Sequence, residues 1–390
     1  MSDLSIRDGK VCIAHAGDIS VPCGGTNRVW AFTQALRDAG FEVHLVVPRP
    51  EKDVSNDLVG IEIHTIPIRE TGIKDQLLRA LFVSHLAKRV AKRIKAILQI
   101  EHSTLAGFAT LANCPDFVLD MHDLAFASPL YSNLPFSDSV TRLIYHLECR
   151  AVNYASRIVV VSNPMRKFIV EEWDVPQQKI RVIPNGYFEE RFRSFNLEHT
   201  EGTSSVSFLG TLHPKIDIVK ILKLAKMPDI SKIYIIGDGP LRGKLEKEVR
   251  KSSLRKIVIT GRLPDEDAFR LLMESQVLIL PEHPSLLTEV SCPVKLLDYA
   301  ALGKPIAADN VAEICALFKE NNAALVSDPS NAEEFINNVR TLLKDEELRK
   351  ALSSNAKKFA KNFTWKKQAE KLVNIYKHDI HASAISTPGN

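Results

Sequence analysis

Short apolar runs alternate with helical patterns along almost the whole chain, and this alternation constrains the fold most. The first series opens with KVCIAHA and FEVHLVVP, two buried-strand patterns that flank a helical pattern from Thr26 to a stop at Gly40. A second series, VSFLG, KIYIIGDGP, KIVITGR and VLILP, begins at Val206. Strands and helices in alternation predict an α/β fold with parallel sheets. Two series of similar size predict two Rossmann-like, doubly wound domains that face each other across a cleft.

The length of 390 residues also favours two domains, because it exceeds what one hydrophobic core usually holds. Residues 191–204 are polar and aperiodic, so we interpret them as a linker between an N-terminal domain of residues 1–190 and a C-terminal domain of residues 205–364. The final helical pattern, residues 365–380, is long and amphipathic and is predicted to cross back to the N-terminal domain. Residues 381–390 are predicted to be disordered.

The net charge and the spacing of the cysteines limit the classes of function that the sequence predicts. A formal net charge of +4 and a pI near 8.6 suit an anionic ligand or a membrane surface, but lie far below the values of a dedicated nucleic-acid-binding protein. The six cysteines show no C-x-x-C pair and no zinc spacing, which favours a reduced, cytoplasmic protein. The polar N-terminus does not resemble a signal peptide, and no apolar run approaches the about 20 residues that span a bilayer. We therefore expect a soluble or peripheral protein.

The helical pattern that starts at Leu77 and ends at Leu98 is strongly amphipathic. One side is predicted to be apolar, and the opposite side is crowded with basic residues. The apolar side consists of Phe82, Leu86, Val90 and Ile94, and the basic side of Lys88, Arg89, Lys92, Arg93 and Lys95. A basic residue near anionic lipids contributes about 1 kcal/mol to binding, so one interpretation is peripheral attachment to an anionic membrane surface. The other is an ordinary helix on the sheet with a solvated basic face.

Three features mark candidate ligand contacts. PVKLLDYAALGKP, which follows the strand pattern VLILP, places Asp298 among apolar neighbours, where a carboxylate needs donors such as ligand hydroxyls. Helix N-termini after strands of such sheets also bind anions, so this stretch predicts a nucleotide or sugar-phosphate site. His122 ends the strand pattern DFVLDMHDL and is a candidate polar contact or proton handler. The paired Gly24 and Gly25 either cradle a ligand or let a helix approach its strand closely.

Five motifs in order carry a family resemblance. KIRVIPNG, FLGTLHPK, IIGDGPLRGKLE, VLILP and PVKLLDYAALGKP resemble the family-four retaining glycosyltransferases of GT-B architecture, and the resemblance covers about residues 10–377. It implies transfer of a sugar from a nucleotide-diphosphate sugar, UDP- or GDP-linked, with retention at the anomeric carbon and without a metal or other cofactor. It also implies that the C-terminal domain holds the donor and the N-terminal domain the acceptor, which is a glycan, a lipid-linked sugar or a small molecule.

The resemblance assigns roles on the phosphate side of the donor. Asp298 matches the acidic residue that binds the ribose hydroxyls. Lys215 is the first choice for the cation that stabilises the departing diphosphate, with Lys295 and Arg262 as alternatives. The backbone N–H groups just before the Asp298 helix, those of Val290, Ser291 and Cys292, are expected to contact the diphosphate. Gly210 and Thr211 belong to the first loop of the C-terminal domain, and Thr211 stands where the family often has arginine.

The remaining implied roles concern the sugar and the base. His122 matches a histidine that lines the sugar side of the cleft, and Gly24 and Gly25 match a loop that approaches the diphosphate and acceptor. The family's usual sugar-binding glutamate corresponds to Val290, so Glu289, one residue away, is the candidate replacement, ahead of Glu282. The turn beside the nucleotide base is implied to contain Gly237, Gly239 and Pro240.

Two other functions of the same architecture stay open on the sequence. A nucleotide-sugar epimerase would require acid–base residues on both sides of the sugar. A catalytically weak, nucleotide-sugar-binding subunit of a glycan-assembly complex would fit the Val290 and Thr211 departures.

Overall fold

The computed structural model divides the chain into two units. Unit 1 comprises Met1–Asn185 with Trp365–Asn390, and unit 2 comprises Gly186–Thr364. The structure describes residues 9–21, 23–54, 56–68, 73–114, 116–131, 136–193 and 204–380. Most of the predicted linker and the whole predicted disordered tail lie outside these residues.

Among the described residues, unit 1 contains a parallel sheet of seven strands in the order β3-β2-β1-β4-β5-β6-β7. The strand order reverses between β1 and β4, as in a doubly wound fold, and ligands of such folds bind at the carboxyl ends near this point. The strands are β1 Lys10–Ala14, β2 Glu42–Pro48, β3 Glu62–Ile66, β4 Ile97–Glu101, β5 Phe117–Met121, β6 Arg157–Val160 and β7 Ile180–Val182. The predicted α/β class is confirmed.

The helices of unit 1 alternate with most of the strands of this sheet along the chain. The helices before the second unit are α1 Gly24–Asp38, α2 Ile73–Ile94, α3 Ser103–Leu111, α4 Ser137–Tyr154 and α5 Asn163–Trp173. α1 begins at Gly24, two residues earlier than predicted, because Cys23 and Thr26 form a capping box: the Thr26 N–H donates to the Cys23 Sγ and the Cys23 N–H to the Thr26 Oγ1.

The predicted apolar side of α2 was wrong in part: Val90 is buried and Leu86 and Ile94 are half-buried, but Phe82 is not. Phe82 is 49% exposed, and a stripe of small residues faces the sheet instead. This stripe consists of Ala80, Val83, Ser84, Ala87 and Ala91, together with the predicted Val90. Small side chains let the helix approach closely, and the Cys12 Sγ of β1 lies 3.9 Å from the Ala87 carbonyl oxygen.

The segment that follows unit 2 in the chain belongs to unit 1. Helix α15, Trp365–Asn374, packs on α1, and the Trp365 and Phe32 rings meet edge to face at 6.1 Å. A π-helical turn, Ile375–Ile380, follows and places Tyr376 fully inside the unit, where its hydroxyl donates to the Gln99 Oε1 of β4 at 2.6 Å. These buried contacts tie the C-terminal segment to the sheet of unit 1.

Unit 2 contains a second parallel sheet, with six strands among the described residues in the order β10-β9-β8-β11-β12-β13. Its strands are β8 Ser205–Leu209, β9 Lys232–Ile236, β10 Ile257–Gly261, β11 Val277–Leu280, β12 Ile306–Asp309 and β13 Leu325–Ser327. Its helices are α6 Glu190–Arg193, α7 Ile218–Leu224, α8 Arg242–Lys251, α9 Asp265–Glu274, α10 Leu286–Glu289, α11 Val294–Ala301, α12 Glu313–Glu320, α13 Ala332–Lys344 and α14 Glu346–Ala360. Apolar strand residues such as Phe208 and Ile279 pack with α13 to form its core.

Candidate active site

The residues predicted to bind the donor follow four neighbouring strands of the unit 2 sheet. Because β10, β9, β8 and β11 are adjacent and parallel, the loops after them lie along one edge of the sheet. These loops carry Gly210, Thr211 and Lys215 after β8, Gly237, Gly239 and Pro240 after β9, Arg262 after β10, and residues 289–298 after β11. The structure therefore brings the predicted donor residues to one region of unit 2.

Backbone pairing between two of these loops positions Lys215. Ile216 and Glu282 form an isolated antiparallel bridge. On either side of it, the Asp217 N–H donates to the Pro281 carbonyl at 3.0 Å and the His283 N–H to the Lys215 carbonyl at 2.8 Å. The loop after β8 is thereby held against the loop after β11, with Lys215 beside Glu282.

Glu282 is the charge centre of this edge. Its carboxylate is fully buried, and the Nζ atoms of Lys215 and Lys295 lie 3.3 and 3.5 Å from the same oxygen, Oε1. Burial alone would raise the pKa of Glu282, but the two lysine charges outweigh burial and lower it. Burial lowers the pKa of Lys295 to about 8, against the opposing pull of Glu282. At neutral pH two ammonium groups thus share one carboxylate, which leaves a net positive charge for an anion.

A second buried pair holds Glu282 in place. The Glu282 N–H donates to Asp309 Oδ2 at 3.0 Å, and the Lys220 Nζ donates to Asp309 Oδ1 at 2.7 Å. The Ser327 hydroxyl also donates to Asp309 Oδ1 at 3.0 Å. Burial raises the pKa of Asp309 to about 6, although Lys220 opposes the shift. These contacts connect the ends of β12 and β13 to the loop that carries Glu282.

Two predicted glycines are required by close approaches at the ends of β8 and β9. Gly210 has φ +140°, and a Cβ there would lie 3.0 Å from the Lys295 Cε. Gly237 has φ +139°, and a Cβ there would lie 2.1 Å from the Gly210 carbonyl oxygen, which no side chain tolerates. Thr211, next to Gly210, is exposed. The glycines therefore let the lysine and the strand ends pack together.

Asp298 is available as a hydrogen-bond acceptor. It is half-buried in α11, and within the described part of the chain no donor reaches its carboxylate. Burial raises the pKa of Asp298 to about 7, although the Arg191 guanidinium of α6 opposes the shift. A carboxylate in such surroundings gains from donors that a ligand brings, as the hydroxyls of a ribose would.

The amides predicted before α11 need a correction. The Val290 N–H donates to the Leu286 carbonyl at 3.1 Å and the Ser291 N–H to the Thr288 carbonyl at 3.2 Å, because the short helix α10 precedes them. Cys292 is buried. The first N–H groups of the following helix, those of Val294 and Lys295, are the ones that an α-helix leaves without an intrahelical acceptor. Diphosphate contacts through amides are therefore expected at the start of α11.

The structure also separates the two candidates for the sugar contact. Glu289, the last residue of α10, is exposed, whereas the neighbouring Val290 is buried at 1% exposure and packs inside the unit. Glu282, the less favoured candidate, is occupied by the two lysines. Of the two glutamates, Glu289 is thus the one whose side chain is exposed to solvent.

Beside the base-side turn, Asp238 and Arg242 form a pair that the sequence analysis missed. The Arg242 Nη1 lies 2.7 Å from Asp238 Oδ2. The Gly239 N–H and the Arg242 guanidinium donate to Asp238 and, with the charge of Arg262, lower its pKa. The i,i+4 spacing of Asp238 and Arg242 was the available signal. Arg262 and Pro240 are exposed beside this pair.

In unit 1, His122 lies beside the paired glycines that begin α1. A Cβ on Gly25 would lie 3.3 Å from the His122 Nδ1, so the start of α1 and the end of β5 meet here. His122 Nε2 is 2.9 Å from Glu101 Oε2 and 3.6 Å from Asp120 Oδ2. Burial would lower the pKa of His122, but these two carboxylates outweigh it and raise the pKa to about 10. At neutral pH His122 is therefore a cation, which can donate a proton but cannot accept one.

A buried ion pair between Arg28 and Asp120 lies next to His122. Both are fully buried, with Arg28 Nε 2.7 Å from Asp120 Oδ2 and Nη2 2.9 Å from Oδ1. Burial would raise the pKa of Asp120, but Arg28 outweighs it and lowers the pKa to about 2. Glu101, Asp120 and His122 lie close enough together to hold a metal ion, but the guanidinium of Arg28 already contacts both Asp120 oxygens. This arrangement favours a fixed, charge-balanced cluster.

Two further histidines line the same sheet edge and were missed by the sequence analysis. His102, directly after β4, lies 2.8 Å from Asp123 Oδ1. His15, directly after β1, has both ring nitrogens buried and without a hydrogen-bond partner among the described residues. Burial, with the charges of His122 and His102, lowers the pKa of His15 to about 3. A neutral imidazole thus faces a polar region with unused donor and acceptor capacity.

Family models match both halves of this arrangement. The model described as Glycosyltransferase Family 4 matches residues 22–191, and the model described as Glycosyl transferases group 1 matches residues 189–359. The chain belongs to the glycosyltransferases of group 1. The resemblance to this glycosyltransferase family is thereby confirmed, whereas retention at the anomeric carbon stays a prediction.

Relatives and solved structures agree with this family. The glycosyltransferase is 24% identical over 58% of its length to an uncharacterised glycosyltransferase, MJ1178, of Methanocaldococcus jannaschii, but the alignment spans only 60% of that protein. It is 25% identical over 78% of its length to UDP-Gal:alpha-D-GlcNAc-diphosphoundecaprenol alpha-1,3-galactosyltransferase of Escherichia coli, of which 85% is covered. A sucrose-phosphate synthase structure from Thermosynechococcus elongatus superposes with a TM-score of 0.80 at 16% identity, over 96% of this chain and 100% of that one. The GT-B class of fold is confirmed.

Proposed function

We propose that this glycosyltransferase transfers a sugar from a nucleotide-diphosphate sugar to a hydroxyl group, with retention at the anomeric carbon and without a metal. The observation that carries the proposal is the pair Lys215 and Lys295 on the buried Glu282 in unit 2. The departing nucleotide diphosphate gains negative charge as the glycosidic bond breaks, and two fixed cations in a partly dry site stabilise that charge. They supply the role that a divalent cation has in metal-dependent transferases.

The proposed roles follow from the geometry of unit 2. The two lysines and the first amides of α11 hold the diphosphate, and Asp298 accepts hydrogen bonds from the ribose hydroxyls. The bond between the anomeric carbon and the phosphate oxygen breaks while the acceptor oxygen bonds to the same face of that carbon. The acceptor proton passes to the released phosphate oxygen. For Glu289 and the His122 cation, contact with the transferred sugar stays a prediction.

The donor and acceptor classes are proposed from the relatives and from unit 1. A UDP-linked hexose is the first candidate donor, since the Escherichia coli relative is named for UDP-galactose. The same name includes a diphosphoundecaprenol acceptor, and we propose that the acceptor of this chain is also a lipid-linked sugar. The carboxyl edge of the unit 1 sheet, where His15 follows β1 with both ring nitrogens buried, is the proposed acceptor side.

Incubation with labelled UDP- and GDP-hexoses tests the reaction. Transfer, or slow donor hydrolysis without acceptor, is expected for one of them. We expect Asp298→Asn to weaken donor binding about 10- to 100-fold, because a carboxylate–hydroxyl bond contributes about 1.5–3 kcal/mol. Titration calorimetry with UDP and the chosen UDP-sugar measures this loss. An isomerised donor, or donor binding without any turnover, would contradict the proposed reaction.

A peripheral, cytoplasmic location on an anionic membrane is the second part of the proposal. None of the described helices has the length and apolar character of a membrane crossing. α2 instead exposes Leu78, Leu81 and Phe82 at 44–50% of their surfaces, and the same side of the helix continues with exposed Arg89 and Lys92. Apolar side chains that enter the headgroup region beside basic ones are typical of interfacial helices.

Flotation with vesicles tests this surface. The wild type is expected to float with vesicles that contain anionic lipid and to stay in solution with neutral ones. Leu81→Gln combined with Phe82→Gln should reduce binding at least tenfold, since each exposed apolar side chain contributes about 1.5–3 kcal/mol when buried. Leu143→Gln, at an equally exposed leucine of α4, is the matched control. Equal flotation of the α2 variant and the control would remove α2 from membrane binding.

A further inference from the structure

Two neighbouring strands of unit 1 carry the same short pattern, a glutamate followed two residues later by a histidine. The pairs are Glu42 and His44 in β2, and Glu62 and His64 in β3, the edge strand. Residues two apart lie on the same face of a strand. The parallel register sets His44 beside Glu62, so all four side chains share one face.

Three of these side chains place their ligand atoms around one point. His44 Nδ1 lies 3.0 Å from His64 Nε2. Glu62 Oε2 lies 3.4 Å from His44 Nδ1, and Glu62 Oε1 lies 3.4 Å from His64 Nε2. Ligand atoms bound to a tetrahedral metal at about 2.0–2.1 Å are roughly 3.3 Å apart. The two nitrogens and the Glu62 carboxylate therefore lie close to the spacing of a tetrahedral metal site, and one ligand atom from each of the three residues lies within 4.8 Å of the other two.

Glu42 supplies the support that metal-binding histidines usually have. Its Oε1 lies 2.9 Å from the second ring nitrogen of His44, Nε2, and the Lys10 Nζ fixes the same oxygen at 2.9 Å. A carboxylate on the distal nitrogen sets the tautomer, and it leaves the lone pair of Nδ1 directed toward His64 and Glu62. The contact between Glu42 and His44 lies within β2, so it does not help to pair β2 with β3.

The cluster is half inside the protein and half open to solvent. His44 is 3% exposed, and its register partner in β1, Cys12, lies under α2. The Glu62 side chain is 61% exposed, so an ion can reach the cluster from solution. The nearby Arg93 of α2 is positively charged and opposes a cation, whereas the two carboxylates favour it.

We propose that His44, His64 and Glu62 bind one divalent transition metal ion, with zinc the best match, and that the ion ties the edge strand β3 to β2. Two imidazole nitrogens and one carboxylate oxygen suit zinc, and a water molecule would complete the tetrahedron. The role is structural. Across the sheet, His44 is in register with Phe117, the first residue of β5, whereas His122 follows the last residue of β5. The metal cluster and His122 are therefore roughly 20 Å apart.

Zinc titration of the full, untagged chain tests the proposal. By calorimetry, the wild type is expected to bind one equivalent, with a rise in the thermal midpoint and, for cobalt, the absorption bands of four-coordinate geometry. His64→Gln should bind at least 100-fold more weakly. Glu42→Gln should bind about 10- to 100-fold more weakly, the usual effect of losing a supporting carboxylate. His85→Gln, at an exposed histidine of α2, should bind as the wild type does.

All variants retain the exposed Cys23, so differences among them do not arise from a thiol ligand. Thermal unfolding in a chelator establishes that His64→Gln is folded before metal is added. Stoichiometric zinc binding by His64→Gln, equal to that of His85→Gln, would overturn the proposal. No uptake by the wild type would also overturn it, and the contact between His44 and His64 would then be a hydrogen bond between two side chains of neighbouring strands.

Discussion

At the scale of single residues, the proposed donor site contains charged groups whose pKa values are shifted by burial and by neighbouring charges. Asp298 was found from the sequence because a lone carboxylate in an apolar helix is a local anomaly. Lys215 and Lys295 were named from the family resemblance, but their common partner Glu282 was not foreseen. That contact depends on the pairing of two loops 66 residues apart in number, from Ile216 to Glu282, which no local pattern encodes.

The pH dependence of donor binding and turnover is predicted from the pKa values of Asp298 and Lys295. The pKa of Asp298 is raised to about 7 and that of Lys295 is lowered to about 8. Below the first value Asp298 gains a proton and loses acceptor capacity for the ribose, and above the second Lys295 loses its charge for the diphosphate. We expect kcat/KM for the donor to peak between these two pKa values.

Steady-state kinetics from about pH 6 to pH 9 measures this profile. Asp298→Asn should flatten the acid limb, because an amide does not titrate in that range, and it should leave the alkaline limb in place. A flat wild-type profile, or an acid limb unchanged in Asp298→Asn, would rule out this assignment.

At the scale of elements, the sequence predicted most strands and helices because alternating apolar patterns are local. It misjudged part of α2, where Phe82 was grouped with Val90 on one apolar side, but Phe82 is exposed and Val90 is buried. Hydrophobicity alone does not show that a helix packed close to a sheet uses small residues such as Ala80 and Ala87, which leaves Phe82 outside. The amides of Val290 and Ser291 were also misassigned, because the four-residue helix α10 is too short to leave a periodic signal.

α15 offers a direct test at this scale. The Trp365 side chain is 2% exposed and packs on Phe32 of α1. Trp365→Ala should lower the free energy of unfolding by about 3–5 kcal/mol, the usual range for a buried aromatic residue. Lys366→Ala, at the exposed neighbouring position, should change it by less than about 0.5 kcal/mol.

Urea unfolding with hydrogen exchange measures both the size and the place of the effect. Exchange should accelerate in β1 and α1 of unit 1 and stay unchanged in β8 and β9 of unit 2. If unit 2 lost protection instead, α15 would not belong to unit 1.

At the scale of the whole molecule, the two βα series predicted the class and the number of sheets, and the order of motifs predicted the family. The strand orders themselves were not predicted in detail, since pairing is set by contacts between distant segments. The residues proposed to bind the donor lie within unit 2, at the ends of four adjacent strands. We therefore infer that unit 2 stabilises the leaving diphosphate with lysines.

Single-turnover cleavage of the donor by Lys215→Ala tests that claim most directly. Lys295 still neutralises Glu282 in this variant, so it should fold, and its thermal midpoint checks this. We expect the rate to fall about 100- to 1,000-fold, as when one stabilising donor is removed from a transition state. Lys244→Ala, at an exposed lysine of α8, should cleave at the wild-type rate. A wild-type rate for folded Lys215→Ala would contradict the account.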